Sequence, residues 1–120
     1  MSWGSAALLA QAAAEQLAAD GIDATVLDLR WLAPLDDAAI AAAVERTGRV
    51  LVAHEANVTG GFGAEIAARI GERSFDALDA PVRRVGALDS RIPPAPGLRA
   101  ALVPSADGIA RAATELVRVG

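Results

Sequence analysis

His54-Glu55-Ala56-Asn57-Val58-Thr59-Gly60-Gly61-Phe62-Gly63-Ala64-Glu65-Ile66-Ala67-Ala68 is the stretch on which the reading of this chain turns. The apolar run before it, residues 49–54, has the pattern of a strand buried on both faces of a parallel sheet. Asn57 and Thr59 make a polar turn, and the glycines at 60, 61 and 63 permit a tight reversal with close helix packing. Phe62, Ile66 and Ile70 then share one helical face, with Glu65 and Arg69 spaced to pair on the outer side.

Downstream, Pro81 precedes a short strand at residues 82–85, and residues 92–97, with three prolines and a glycine, predict an extended loop. A last helix opens at Pro104-Ser105 and buries Ile109, Ala112, Ala113 and Leu116. Upstream, Pro34-Leu35-Asp36 starts a helix with Asp36 as N-cap, Asp37 in the first turn and Gly48 as its stop. Residues 24–29 read as another strand buried on both faces, with Asp28 as its odd member. Ser5 is placed to cap a first helix whose Leu9, Ala13 and Leu17 share a face, ended by Gly21.

Strands alternating with helices predict an α/β fold, a three-layer α/β/α sandwich around a largely parallel sheet. The whole of residues 1–120 is expected to form one domain of ordinary size. Met1-Ser2-Trp3-Gly4 reads as the tail of a truncated first strand whose earlier residues are absent, the missing strand lying at the sheet's edge, where unpaired backbone invites association.

Composition narrows the chemistry. The chain is 53% hydrophobic but 3% aromatic, so its core is built from small aliphatic residues. It has no cysteine, which removes disulfides and thiolate chemistry and fits a cytoplasmic location. A net charge of −4 argues against a nucleic-acid partner, which needs clustered positive charge. The apolar start has no basic flank and soon meets Glu15 and Asp20, so neither a signal peptide nor a membrane span is expected.

His54 and Glu55 fall at the C-terminal end of a strand, where open parallel sheets place ligands; a structural or interface role is the preferred reading. One histidine supplies too few ligands for zinc. The Gly60-Gly61-Phe62-Gly63 turn lacks phosphate-loop spacing and reads as packing, with Phe62 as anchor. Asp28, inside an apolar run, needs a partner to offset desolvation, and Arg30 shares its side of the strand. Arg83 and Arg84 straddle their strand, so at least one is expected to pair with an acid or a neighbouring subunit. Trp31 is either a lid on the core or an interface anchor.

The quoted stretch resembles the HEAxxTGGFGAEIAA signature of 2-oxo acid dehydrogenase E1 β subunits. Asp28-Leu29-Arg30 with Leu32 and Pro34-Leu35-Asp36 is similar to the same family's DLRxLxPLD segment. Ala80-Pro81-Val82, Arg84-Val85, Asp89, Ile92-Pro93 and Pro104-Ser105 with Ile109 follow in family order, so the resemblance runs from about Trp3 to Val117. His54-Glu55-Ala56 is more similar to the branched-chain type than to the pyruvate type.

The resemblance implies the transketolase C-terminal fold without the N-terminal pyrimidine-binding domain. Thiamine diphosphate and magnesium then belong to the intact enzyme, at the junction of the α subunit with the N-terminal domain of β. Neither is expected to bind this chain alone, which lacks a GDG-type motif. No catalytic, cofactor or metal residue is implied here; His54, Glu55, Thr59, Gly60, Gly61, Phe62, Gly63, Glu65, Asp28 and Arg30 are implied as structural or interface positions. The implied partners are the E1 α subunit, a second β subunit and the subunit-binding domain of the E2 acyltransferase. The implied function is assembly and E2 docking for oxidative decarboxylation of branched-chain 2-oxo acids or pyruvate, with acyl transfer to lipoyl-E2. A free-standing interaction module from a split gene, or the matching domain of 1-deoxyxylulose-5-phosphate synthase or transketolase, are the alternatives. Departures from the family pattern are Ala87 preceded by Gly86, Arg91 in place of a proline and Arg99 in place of an acid.

Overall fold

In the computed structural model, which describes residues 1–119, five α-helices surround two parallel strands. Helix α1 (Ser5–Ala19) is followed by an extended segment, then α2 (Asp37–Thr47), β1 (Leu51–Asn57) and α3 (Phe62–Arg73). A 3-10 turn (Phe75–Ala77), β2 (Arg83–Ala87), α4 (Pro96–Leu102) and α5 (Ala106–Val117) complete the order.

The layers follow from the alternation along β1. Val50 and Val52 face Ile40 and Val44 of α2 and Ile66 and Ile70 of α3. Leu51 and Ala53 face the other way, onto Ala13 and Leu17 of α1 and Ile109 and Ala110 of α5. Successive side chains on opposite faces require both faces to be covered, and the three-layer sandwich does this. β1 and β2 run parallel, Leu51 beside Arg83 and Val52 beside Arg84, with an irregularity between Ala53 and Asn57.

The caps read from sequence hold for two helices. Asp36 accepts the Ala39 N–H at 3.0 Å to start α2, Gly48 ends it at φ 67°, and Ser105 accepts the Gly108 N–H at 3.0 Å to start α5. The α5 stripe is Ile109, Ala110, Ala112 and Leu116, with Ala113 only partly buried. Four expectations need correction. Ser5 is the first residue inside α1, which is capped by Gly4 at φ 59° with no side-chain bond. Residues 96–102, expected to be loop at their start, form the short helix α4, because Pro96 at the N-terminus lacks only an N–H that has no helical partner there.

The third correction concerns residues 24–29, which do not form a ladder: Asp28 alone pairs, in a single parallel bridge to Ser2, and Ser2 also bridges Ala53. Met1 and Ser2 therefore lie between residues 27–29 and β1, in the middle of the sheet and not at its edge. Fourth, Asp28 is exposed and not desolvated. No described helix is long and apolar enough to cross a membrane.

Candidate functional site

The C-terminal end of β1 meets the start of α3 in one packed joint. His54 is fully buried, its ring stacked on Trp3 at 5.2 Å between centroids and 26° between planes. Trp3 in turn meets the Phe62 ring edge-on at 6.2 Å. Glycine is required around this ring. A methyl group on Gly63 would overlap the His54 Nε2, and one on Gly61 would overlap the Asn57 carbonyl oxygen. One on Gly86 would lie 2.6 Å from the Ala56 carbonyl oxygen and 2.7 Å from the His54 Cε1.

Neither ring nitrogen of His54 has a hydrogen-bond partner. Burial holds its pKa below the ordinary imidazole value, because a charged ring here has lost its water. The nearby Ala56 backbone, short of hydrogen-bonding geometry, pulls weakly the other way, and the Arg84 charge adds to the lowering. His54 is thus a neutral packing group that solvent does not reach. Glu55 is half-buried beyond it and makes no side-chain hydrogen bond among the described residues.

The rim of the joint is tied down by polar contacts. Thr59 donates its hydroxyl to Asp89 at 2.5 Å and its N–H at 3.2 Å, and Arg84 donates to the Val58 carbonyl at 2.6 Å. The Thr59 hydroxyl holds the Asp89 carboxyl below its usual range. Gly60 is exposed at φ 74° and turns the chain. On the outer side Glu65 pairs with Arg69 at 2.9 Å. Arg69 and Arg73 reach Asp37 of α2 at 3.2 and 2.5 Å, and the Arg73 hydrogen bond lowers the Asp37 pKa.

Of the residues singled out from sequence, His54, Gly61, Phe62 and Gly63 converge in the joint, Thr59 and Gly60 form its rim, and Glu65 faces outward. Asp28 and Arg30 lie across the Ser2 stub, away from that joint, paired with each other at 3.5 Å with Arg30 at φ 55°. Of the Arg83-Arg84 pair, Arg83 meets Glu115 at 2.7 Å, an acid of the same chain. Trp31 is 74% exposed, so it is no lid on the core. The reading from sequence missed Trp3 and Gly86 as members of the joint. A glycine inside a strand marks close approach by another group, but Gly86 lay just past the strand expected at residues 82–85 and falls inside β2 only because that strand runs on to Ala87; Trp3 carried no signal, because its place depends on the tertiary path of the stub.

The residues present do not fit thiamine diphosphate with magnesium. Among the described residues no three His, Cys, Asp or Glu side chains gather as a metal would need. The polar cleft formed by Asn57, Thr59, Asp89, Ser90 and Arg91 has one carboxylate, already engaged by Thr59. A second, more enclosed cavity of about 410 Å³, beside the N-terminal half of β1, is walled mainly by aliphatic residues with Asp23 as its sole carboxylate.

Residues 1–109 match the model of the family described as transketolase, C-terminal domain. The chain is similar to 2-oxoisovalerate dehydrogenase subunit beta 2, mitochondrial, of Arabidopsis thaliana: 45% identical over 93 residues, 78% of this chain and 26% of the relative. It is likewise 42% identical over 109 residues to the pyruvate dehydrogenase E1 component subunit beta of Leifsonia xyli subsp. xyli, covering 91% of this chain and 32% of that one. The chain thus spans about a third or less of the length of these relatives. Among solved structures, a split gene transketolase described as an inactive beta4 tetramer superposes with a TM-score of 0.85 at 28% identity, over 98% of this chain and 38% of the other. With its three layers, its glycine-lined joint and a family match over most of its length, this chain belongs to the transketolase C-terminal domain family and is related to the E1 β subunits of 2-oxo acid dehydrogenases.

Proposed function

We propose that this chain is the assembly and docking portion of the β subunit of a thiamine-diphosphate-dependent 2-oxo acid dehydrogenase. It would serve oxidative decarboxylation of a branched-chain 2-oxo acid or pyruvate and acyl transfer to lipoyl-E2, with the α subunit, a second β subunit and the E2 acyltransferase as partners. Residues 1–120 act as a single non-catalytic domain. The observation that carries this reading is the joint around His54: the one histidine at the ligand-prone edge of the sheet is fully buried, packed on glycine and unable to meet a substrate. Under this reading His54, Gly61, Phe62 and Gly63 are scaffold. The exposed Asp28, Arg30, Thr59 and Gly60 are candidates for subunit contacts. Calorimetric titration with thiamine diphosphate and magnesium tests it; no saturable binding is expected, and clear binding would refute the non-catalytic assignment.

A second reading, a free-standing module that assembles with copies of itself, is favoured by the description of the superposed split gene transketolase as an inactive beta4 tetramer. Light scattering separates the two. A stable tetramer of this chain alone favours the module; a monomer that joins a cognate E1 α and β assembly favours the subunit domain.

A further inference from the structure

Between the buried Ala87 and the buried Pro104 the chain makes an excursion that contributes nothing to the interior. None of residues 88–103 is buried, and neither apolar cluster of the fold takes a side chain from them. Leu88 and Leu98 are exposed, Ile92 and Leu102 half-buried, and α4 has no buried residue. This is the burial pattern of a unit that opens without the core.

Its attachments are few. The Leu88 N–H donates to the Leu102 carbonyl at 2.9 Å and closes the excursion at its neck. The Arg99 and Val103 N–H groups donate within it, to the Ala95 and Arg99 carbonyls. Among the described residues, one side chain joins it to the rest of the fold: the Asp89 carboxylate, which accepts the Thr59 hydroxyl at 2.5 Å and the Thr59 N–H at 3.2 Å.

The other contributions to closing are small. With little apolar surface covered, closure gains little from the hydrophobic effect. Pro93, Pro94 and Pro96 restrict the backbone, so opening gains less chain entropy than it would in an unrestrained loop. Hydrogen bonds to a charged group are the strong ones, and here they are large enough to set the balance.

We propose that residues 88–103 form a strap that opens as one unit while the core stays folded, and that the Thr59–Asp89 contact is its latch. The latch fastens the strap to the turn after β1. Asp89, Ser90 and Arg91 form one side of the polar cleft, and Asn57 and Thr59 the other. Opening therefore parts the cleft and frees the Thr59 hydroxyl and N–H as donors, both of which the closed strap keeps occupied.

Native-state hydrogen exchange tests this on the chain as it stands. The Leu88, Arg99 and Val103 amides are expected to exchange together, slower than an unprotected amide but faster than the Gly48 and Arg83 amides, which bond within the core to Val44 and Val50. Thr59→Val, which removes the hydroxyl donor, should speed exchange of all three by about tenfold and leave Gly48 and Arg83 at their original rates. Asp89→Ala should act at least as strongly, and adding Thr59→Val to it should change nothing further, because the two residues share one contact. Strap amides that exchange at the core rate, at the unprotected rate, or independently of one another would overturn the proposal. So would a Thr59→Val variant whose strap exchanges as before, or whose core amides speed up equally.

Discussion

β1 has two unlike surroundings. At its C-terminal end the His54 joint has no room for one added methyl group, whereas beside its N-terminal half lies a cavity of about 410 Å³. The same seven-residue strand is thus overdetermined at one place and half-supported at the other. Close packing makes side chains in the first region costly to alter, while the second tolerates change.

The largest test of that contrast is truncation. Ile66→Ala, at a fully buried position behind the joint, should cost about 2–5 kcal/mol, and Val26→Ala on the cavity wall well under about 1 kcal/mol; denaturant unfolding of both variants compares them directly. Similar losses would mean that the cavity wall is as well packed as the core.

Adding volume sharpens the same point. Gly63→Ala should destabilise by about 1–3 kcal/mol, because the new methyl group meets the His54 ring. Ala24→Val, lining the cavity, should change stability by no more than about 0.5 kcal/mol. Pairing Gly63→Ala with His54→Ala should give a loss smaller than the two single losses summed, since the truncated ring makes room.

Caps provide a reference on which the two sides of β1 should agree. Ser105→Ala on α5 and Asp36→Ala on α2 remove equivalent bonds and should each cost about 1 kcal/mol by thermal or denaturant unfolding. A much smaller loss for Ser105→Ala would show that α5 is held by less than its contacts suggest.

The joint should also show in acid. The folded-state pKa of His54 is lowered from 6.5, so the stability tied to its neutral form is complete above that value. It is lost as pH falls through 6.5 toward the folded-state pKa. The buried Met1 amine, lowered from 8.0 to about 6, changes stability in the same direction beginning at higher pH. His54→Gln should therefore remove the part of the slope that begins below 6.5 and leave the rest; Trp3 fluorescence, from the ring stacked on His54, reports the change. An unchanged slope would show that the ring is hydrated. Smallest of all, Thr59→Val should let the Asp89 carboxyl titrate nearer its ordinary range by NMR, with little change in Tm, because both residues sit on the exposed rim.

The strand, turn and helix around His54 were legible because each has a local cause: an apolar run buried on both faces in β1, glycines where side chains do not fit, and Phe62, Ile66 and Ile70 repeating along one face. Asp36, Gly48 and Ser105 were legible for the same reason, since capping is settled within four residues. Residues 24–29 were misread because a strand exists only where a neighbour bonds to it, and composition reports the preference without the partner. Local sequence therefore determined that α1, α2, α3 and α5 form, where α2, α3 and α5 start, and which family the pattern resembles. Only the tertiary structure decided that Trp3 lies on His54, that Gly86 closes the ring from another strand, and that Ser2 lies in the middle of the sheet. Those facts depend on contacts between residues far apart in the chain, and no local preference encodes them.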